Sequence, residues 1–328
     1  MHYRKLGNAN WNVSEIGFGG WALGGQWGGQ DDNNSAAALN KAIDLGLNFI
    51  DTAESYGDGH SERVIAGVLR TRSERVYVAT KTPPKPGPWP PTPYCTVEDR
   101  YPEDYLRKNV EARLKNLGVD CLDVLQLHSW TRAFNRNPAP LDFLRRLREE
   151  GKLRLIGIST PEQDQNCVID LMRRGYLDVV QIIYNLFEQE PAAEILPVAQ
   201  ETGTGVIVRV VFGEGVLTGK YAKGYQFPEN DFRSRYFAGD RLDRAVDRVE
   251  QIRADVAEAG LADKYTLAEV ALKFAMANPA VSTVIPGIRN ARQAELNLGV
   301  SDKPDLPAGL LERLHRHNWL RGVWYSGK

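Results

Sequence analysis

Asn48-Phe49-Ile50-Asp51-Thr52-Ala53-Glu54-Ser55-Tyr56-Gly57 joins a short apolar run to a carboxylate and sets a phenol five residues beyond it, among small residues. Two later segments end the same way. Val76-Tyr77-Val78-Ala79-Thr80 delivers Lys81, and Leu122-Asp123-Val124-Leu125-Gln126-Leu127 delivers His128. If these runs are parallel strands of one sheet, Asp51, Tyr56, Lys81 and His128 converge at one end of it. That convergence is the candidate active site.

The rhythm around these runs sets the fold class. Residues 2–12, broken by Gly7 and Asn8-Ala9-Asn10, predict a small hairpin. Strands are expected at 13–18, 48–50, 76–80, 122–127, 153–158, 179–183, 205–208 and 281–285. Helical spacing separates them, through Ala36, Leu39, Ile43 and Leu47, then near 61–70, 103–117, 140–149, 161–174, 192–201 and 266–277. Strands that alternate with helices mean a parallel sheet. Eight such units without a break in composition predict a closed (β/α)₈ barrel, an α/β TIM barrel with an N-terminal β-hairpin, forming a single domain over 1–328.

Three stretches break the rhythm. Gly19 to Gly29 is too glycine-rich for a regular element. Pro83 to Pro93 holds seven of the 18 prolines and predicts a stiff loop at the catalytic end. Residues 213–240 predict a second long loop, since loops of this length in a compact domain are usually functional or disordered. An exposed charged helix is expected over 241–258, and helical spacing over 310–320, with Trp319 and Trp324 packed over the barrel.

Composition narrows the function. With 328 residues, 42% hydrophobic and 25% charged, the chain reads as an ordinary globular protein. A net charge of −1 gives no electrostatic case for nucleic acid or an anionic membrane. No apolar stretch approaches the ~18 residues of a membrane span, and residues 1–6 carry no apolar signal core. Cys95, Cys121 and Cys167 form no CxxC pair, which predicts reduced thiols in a cytoplasmic protein. A monomer or weak homo-oligomer is expected.

In such a barrel the active site lies at the C-terminal ends of the strands. Those positions hold Asp51, Lys81, His128, Ser159, Gln181, Arg209 and Gly287, with Tyr56 on the loop after the second strand. A lysine cation beside a phenol lowers the phenol's pKa, and a carboxylate keeps the lysine charged. A tyrosine tuned this way can give a proton to a carbonyl oxygen or take one from an alcohol. An imidazole can hydrogen-bond the same oxygen. The set suits reversible carbonyl reduction. Singly, each residue has a plainer reading: a cap, a solvated lysine, a packed loop tyrosine. Their joint placement at successive strand ends favours the functional one.

The chain resembles the aldo-keto reductase superfamily from Leu6 to about Leu298. Asp51 to Gly57 with Gly59-His60-Ser61-Glu62 resembles that family's first signature, Leu117 to His128 its second, and Ile285-Pro286-Gly287 its third. The resemblance implies Tyr56 as proton donor, Lys81 and Asp51 as its tuners, and His128 as the residue that orients the carbonyl. It implies NADP(H) as the preferred cofactor, with NAD(H) also usable. Gly20, Trp21, Asp51, Ser159, Thr160, Gln181 and Arg209 then fall on the nicotinamide side. Val210, Gly213, Gly215, Leu217, Gly219 and Lys220 fall on the phosphate side, and Gly287, Arg289, Gln293 and Asn297 on the adenosine side. Thr160 stands where the family usually has asparagine, Arg209 where many members have tyrosine, and Val211-Phe212 where Pro-Leu is usual. Arg289 at the start of the last barrel helix and Gln293 one turn on would share a face toward a 2′-phosphate. Substrate contacts are expected from Trp21, Tyr56, Trp89, His128 and Trp130 with a small-molecule carbonyl or alcohol, sugars included.

Three other readings compete. Gly17-Phe18-Gly19-Gly20-Trp21-Ala22 fits GxGxxA, but a Rossmann fingerprint needs a helix opening at that point. A metal hydrolase needs clustered ligands, and only His315 and His317 lie close together, so no metal is expected. A non-enzymatic redox-sensing subunit on the same fold is opposed by the intact Asp51, Tyr56, Lys81 and His128 set.

Overall fold

A computed structural model describes residues 1–25, 27–320, 322 and 324; Gln26 of the glycine-rich stretch lies outside them. Among the described residues, a hairpin of β1 (Tyr3–Lys5) and β2 (Asn12–Ser14) precedes eight parallel strands that run in sequence order round one sheet: β3 (Phe18–Gly19), β4 (Phe49–Asp51), β5 (Tyr77–Thr82), β6 (Leu122–His128), β7 (Leu153–Ser159), β8 (Val179–Ile183), β9 (Gly205–Arg209) and β10 (Val281–Val284). Parallel bridges Ile16↔Val284 and Gly19↔Gly287 join the last strand to the first and close the barrel. The seam is tight. A Cβ at Gly19 would stand 2.7 Å from the Ile285 carbonyl oxygen, so only glycine allows the backbones this approach.

The first barrel strand departs from expectation. Asn12–Ser14 pairs antiparallel with Tyr3–Lys5 as the second strand of the hairpin, and the barrel strand begins only at Ile16. Burial decides this. Leu6 and Val13 are fully buried beneath the barrel, in one cluster with Phe49, Ala79, Val124, Val179, Ile207 and Ile285. The hairpin is the plug of the barrel floor, so Val13 is committed below rather than in the wall.

That floor explains the site. Side chains two apart on a strand share a face. Two residues beyond Phe49, Ala79, Val124, Val179 and Ile207 stand Asp51, Lys81, Gln126, Gln181 and Arg209. These five strands therefore each send an apolar residue to the floor and a polar one to the layer above.

Most helices match their periodicity, Glu103–Leu117 and Ala139–Glu149 among them. Two differ. The expected helix over 161–174 is a 3₁₀ turn, Gln165–Val168, followed by the short Ile169–Arg173. The helix Arg241–Glu258 is not simply exposed: Leu242, Val246, Val249, Ile252 and Val256 are buried along one face. Its charges mask an amphipathic stripe. The glycine-rich stretch is also less irregular than expected, since Gly20–Gly24 forms a 3₁₀ helix. The first α-helix is Asp32–Asp44, so among the described residues only this short 3₁₀ turn, and no α-helix, opens where a Rossmann fingerprint would need one. Trp319 and Trp324 are buried and pack edge to face, 5.2 Å apart, with Trp319 also against Phe187.

Candidate active site

Lys81 sits at the centre of the polar layer and is fully buried. Its Nζ donates to Asp51 Oδ2 at 2.6 Å, to the Thr52 carbonyl at 2.8 Å and to the Tyr56 hydroxyl at 3.2 Å. Three donors meet three acceptors, which a buried ammonium requires. Asp51, 2% exposed, also accepts from Gln181 Nε2 at 2.7 Å and from Gln126 Nε2 at 3.4 Å. Strands β4, β5, β6 and β8 thus each supply one arm of a single network.

Tyr56 hangs over the network from the loop after β4. The glycine-rich 3₁₀ helix lies on that loop: a Cβ at Gly24 would stand 2.6 Å from the Tyr56 carbonyl carbon. The Tyr56 ring meets the His128 ring edge-on at 6.1 Å and stacks with Trp21 at 6.3 Å. Trp89, from the proline-rich loop, meets His128 edge-on at 5.3 Å. Two rings, His128 and Trp21, therefore flank the phenol, and Trp89 from the proline-rich loop packs on His128.

The electrostatics differ from the sequence expectation in one respect. Burial pushes the Tyr56 phenol up, and Asp51 adds to it. Lys81 and Arg209 pull it down, as the residue types suggest, but the net direction is upward. Desolvation outweighs the cation because the hydroxyl lies against the buried layer. Lys81 itself is pulled down by burial, but Asp51 and Tyr56 more than offset this and raise it, so it stays an ammonium.

Trp130 does not rim the pocket. It is fully buried, stacked at 6.3 Å on Tyr101 and edge-on at 5.2 Å to Phe134, with Nε1 donating to Asn135 Oδ1 at 2.8 Å. Between it and His128, Ser129 holds φ 115° while its carbonyl accepts from Tyr101 Oη at 2.8 Å. That left-handed turn sends Trp130 into the wall while His128 faces the pocket.

The family model for the aldo/keto reductase family matches residues 15–318. The chain belongs to the aldo/keto reductase family. Aldo-keto reductase YhdN of Bacillus subtilis (strain 168) is 32% identical over 238 residues, 71% of this chain and 69% of the relative. The NADH-specific methylglyoxal reductase of Escherichia coli (strain K12) is 27% identical over 320 residues, 90% of this chain and 94% of the relative. The holo form of aldo-keto reductase AKR11C1 from Bacillus halodurans superposes with a TM-score of 0.76 at 24% identity, over 98% of both chains, a likeness of fold.

In this aldo/keto reductase the remaining predicted residues fall in two groups. Close to the Lys81 network, Ser159 Oγ donates to Gln181 Oε1 at 3.3 Å, and Thr160 donates to the Gln181 carbonyl from both its backbone N–H and its hydroxyl. Arg209 Nη2 donates to the Thr160 carbonyl at 2.9 Å, while its buried Nε has no partner among the described residues. Gly20 packs against the Asp51 carbonyl. Val210 and Gly213 both hold positive φ, and Gly215 and Gly219 flank the 3₁₀ turn Val216–Thr218, which buries Leu217.

Farther out, desolvation, then Arg233 and Arg289, hold the Lys220 ammonium below its ordinary range. Arg289 lies outside the last barrel helix, which is Ala291–Leu298 with Asn290 as its cap. The shared helical face expected for Arg289 and Gln293 is therefore absent; instead Gln293 Oε1 accepts from the Arg289 backbone N–H at 2.8 Å. The Arg289 guanidinium reaches across to Gln30 Oε1 at 2.9 Å and the Gly29 carbonyl at 2.6 Å. Gly287 is taken up in the barrel seam, and Asn297 is buried.

Several neighbours escaped the sequence reading. Gln126 was signalled only by a polar residue inside an apolar run. Phe232, 4.7 Å from Trp21, and Trp27, 5.5 Å from it, extend the aromatic wall. Phe232 lies far along the chain, and nothing local marks it. Among the described residues no three His, Cys, Asp or Glu side chains group as metal ligands; His317 meets Asp255 at 2.8 Å.

Proposed function

We propose that this enzyme reduces the carbonyl of a small aldehyde, ketone or keto-sugar to the alcohol, reversibly, with Tyr56 as general acid and base. The observation that carries the reading is the Lys81 ammonium bonded at once to Asp51 and to the Tyr56 hydroxyl. A phenol pushed above its ordinary value keeps its proton at neutral pH. It is then a donor to a carbonyl oxygen as negative charge develops there. Lys81 stabilises the phenolate left behind, and Asp51 keeps Lys81 charged and aimed. His128, across from the phenol, hydrogen-bonds the same oxygen and orients it. Trp21, Trp89 and Phe232 hold the rest of the substrate and exclude water. The reverse direction needs the phenolate, so alcohol oxidation rises with alkaline pH.

The donor set fits a nicotinamide dinucleotide. Desolvation, then Arg233 and Arg289, depress Lys220 against the opposing charge of Asp231, and the three cations form a cluster that suits phosphates. The unpartnered Arg209 Nε and the polar Ser159, Thr160 and Gln181 suit the carboxamide end. When bound, that cofactor supplies the hydride. NADP(H) is the preferred form, because Arg289 and its neighbours favour a 2′-phosphate dianion and no acidic residue occupies 286–294; NAD(H) is also usable, and one relative is named for it. The chain works as one catalytic domain in the cytoplasm, as a monomer or weak homo-oligomer.

Tyr56→Phe tests this. It keeps the ring's packing and removes the proton, so kcat falls by ~10²–10⁴-fold while the Kd for NADPH stays near wild type. A variant that keeps more than about half of wild-type kcat removes Tyr56 from the proton transfer.

A further inference from the structure

Arg100 is a buried cation that no carboxylate of the described residues meets in an ion pair, although Asp99 next to it in the chain feels its charge. Its side chain is 3% exposed, and among the described residues it makes no ion pair and its Nε has no hydrogen-bond partner. The other two buried arginines each have an acid: Arg113 meets Glu62 at 2.8 Å, and Arg233 meets Asp231 at 2.5 Å. An unpaired buried guanidinium is costly, so the group it faces matters. That group is a thiol. Arg100 Nη1 points at Cys95 Sγ, 3.9 Å away, and Thr92 Oγ1 lies 3.4 Å from the same sulfur.

The three cysteines differ. Cys95 is half-buried, and the Thr92 hydroxyl, helped by Arg100, holds its thiol below the ordinary range against the opposing effect of burial. Cys167 is 1% exposed, and burial pushes it far up. Cys121 is half-buried too, but its Sγ meets only the Leu122 carbonyl, at 3.7 Å, among the described residues. Arg100 also ties down the proline-rich loop. Its carbonyl accepts from Lys85 N at 2.8 Å, and a Cβ at Gly87 would stand 2.6 Å from its Nη1. The thiol therefore stands on the segment that carries Trp89.

We propose that Cys95 is a modification site, a nucleophilic thiol paired with Arg100 that forms mixed disulfides with low-molecular-weight disulfides. The Cys95 proton passes to solvent, and the thiolate attacks one sulfur of the incoming disulfide. A new S–S bond forms to Cys95 as the old one breaks, and the departing half leaves as a thiolate with the electron pair. Cys95 is oxidised and one equivalent of small thiol is released reduced.

The test uses the full chain and dithiobis(nitrobenzoate), whose released thiolate is coloured, with peptide mapping to assign each adduct. One thiol per chain reacts fast at neutral pH; it maps to Cys95 and outpaces Cys121 about tenfold or more. Cys95→Ser abolishes the fast phase. Arg100→Gln slows Cys95 about tenfold and leaves Cys121 unchanged. Should that variant fail to fold, Thr92→Val, which removes the hydroxyl contact to the sulfur, also slows Cys95. The proposal is overturned if Cys95 reacts no faster than Cys121, if the fast phase survives Cys95→Ser, or if the folded variants leave its rate unchanged.

Discussion

Replacing Lys81 by Met tests the centre of the network, because the structure sets what is left behind. Lys81 is fully buried, so Met fills much of its volume and the loss is the charge. Asp51, 2% exposed, then keeps its hydrogen bond from Gln181 at 2.7 Å and a long one from Gln126 at 3.4 Å, and loses the one at 2.6 Å. Stranding one partner of a buried ion pair costs about 3–5 kcal/mol. The surviving amide contacts put this case near ~3 kcal/mol. Denaturant titration followed by tryptophan fluorescence measures it. Lys81→Met/Asp51→Asn removes the stranded carboxylate and recovers part of the loss. The same substitution removes a pull that holds the phenol down while burial and Asp51 still push it up. In folded protein the pH profile of alcohol oxidation therefore moves to more alkaline values. A loss below ~1 kcal/mol, a double variant less stable than the single one, or an unmoved profile would refute the reasoning.

Other expectations follow from the geometry. Arg289→Ala weakens NADPH by about tenfold to a hundredfold, the worth of a charge-assisted contact of ~1.5–3 kcal/mol, and NADH less, since only the tether to Gln30 and Gly29 is lost for both; Kd values for the two cofactors check it, and an unchanged ratio moves the phosphate site elsewhere. Trp130→Ala costs about 3–5 kcal/mol of stability with little change in KM, whereas Trp89→Ala raises KM with little loss of stability; the reverse pattern in denaturation and kinetics would return Trp130 to the pocket. Burial, with Glu162 nearby, pushes the Glu214 carboxyl from its ordinary 4.5 to about 8. Its native form holds the proton more tightly, so its contribution to stability is full below pH 4.5 and is lost as pH rises through 8. Glu214→Gln therefore gains on wild type in Tm between about pH 5 and pH 9, and a constant difference across that range contradicts the shift.

The sequence alone determined what local periodicity and strand-end position can carry. Alternation of helices with eight apolar runs specifies the barrel, and the residue closing each run specifies which groups reach its rim. Asp51, Lys81 and His128 were legible because an apolar run ending in a polar group is a local signal. So were Glu103–Leu117 and Ala139–Glu149, whose 3.6-residue spacing is internal. Where an assignment depended on a distant segment, only the tertiary structure decided it. Val13 joins the plug rather than the wall because the floor cluster draws on six segments outside the hairpin. Trp130 turns inward because Tyr101 and Phe134 receive it. Arg289 is held by Gln30, 259 residues away. The balance at Tyr56 is of the same kind: residue type gives the sign of Lys81's effect, but burial is a property of the assembled barrel, and desolvation proved the larger influence.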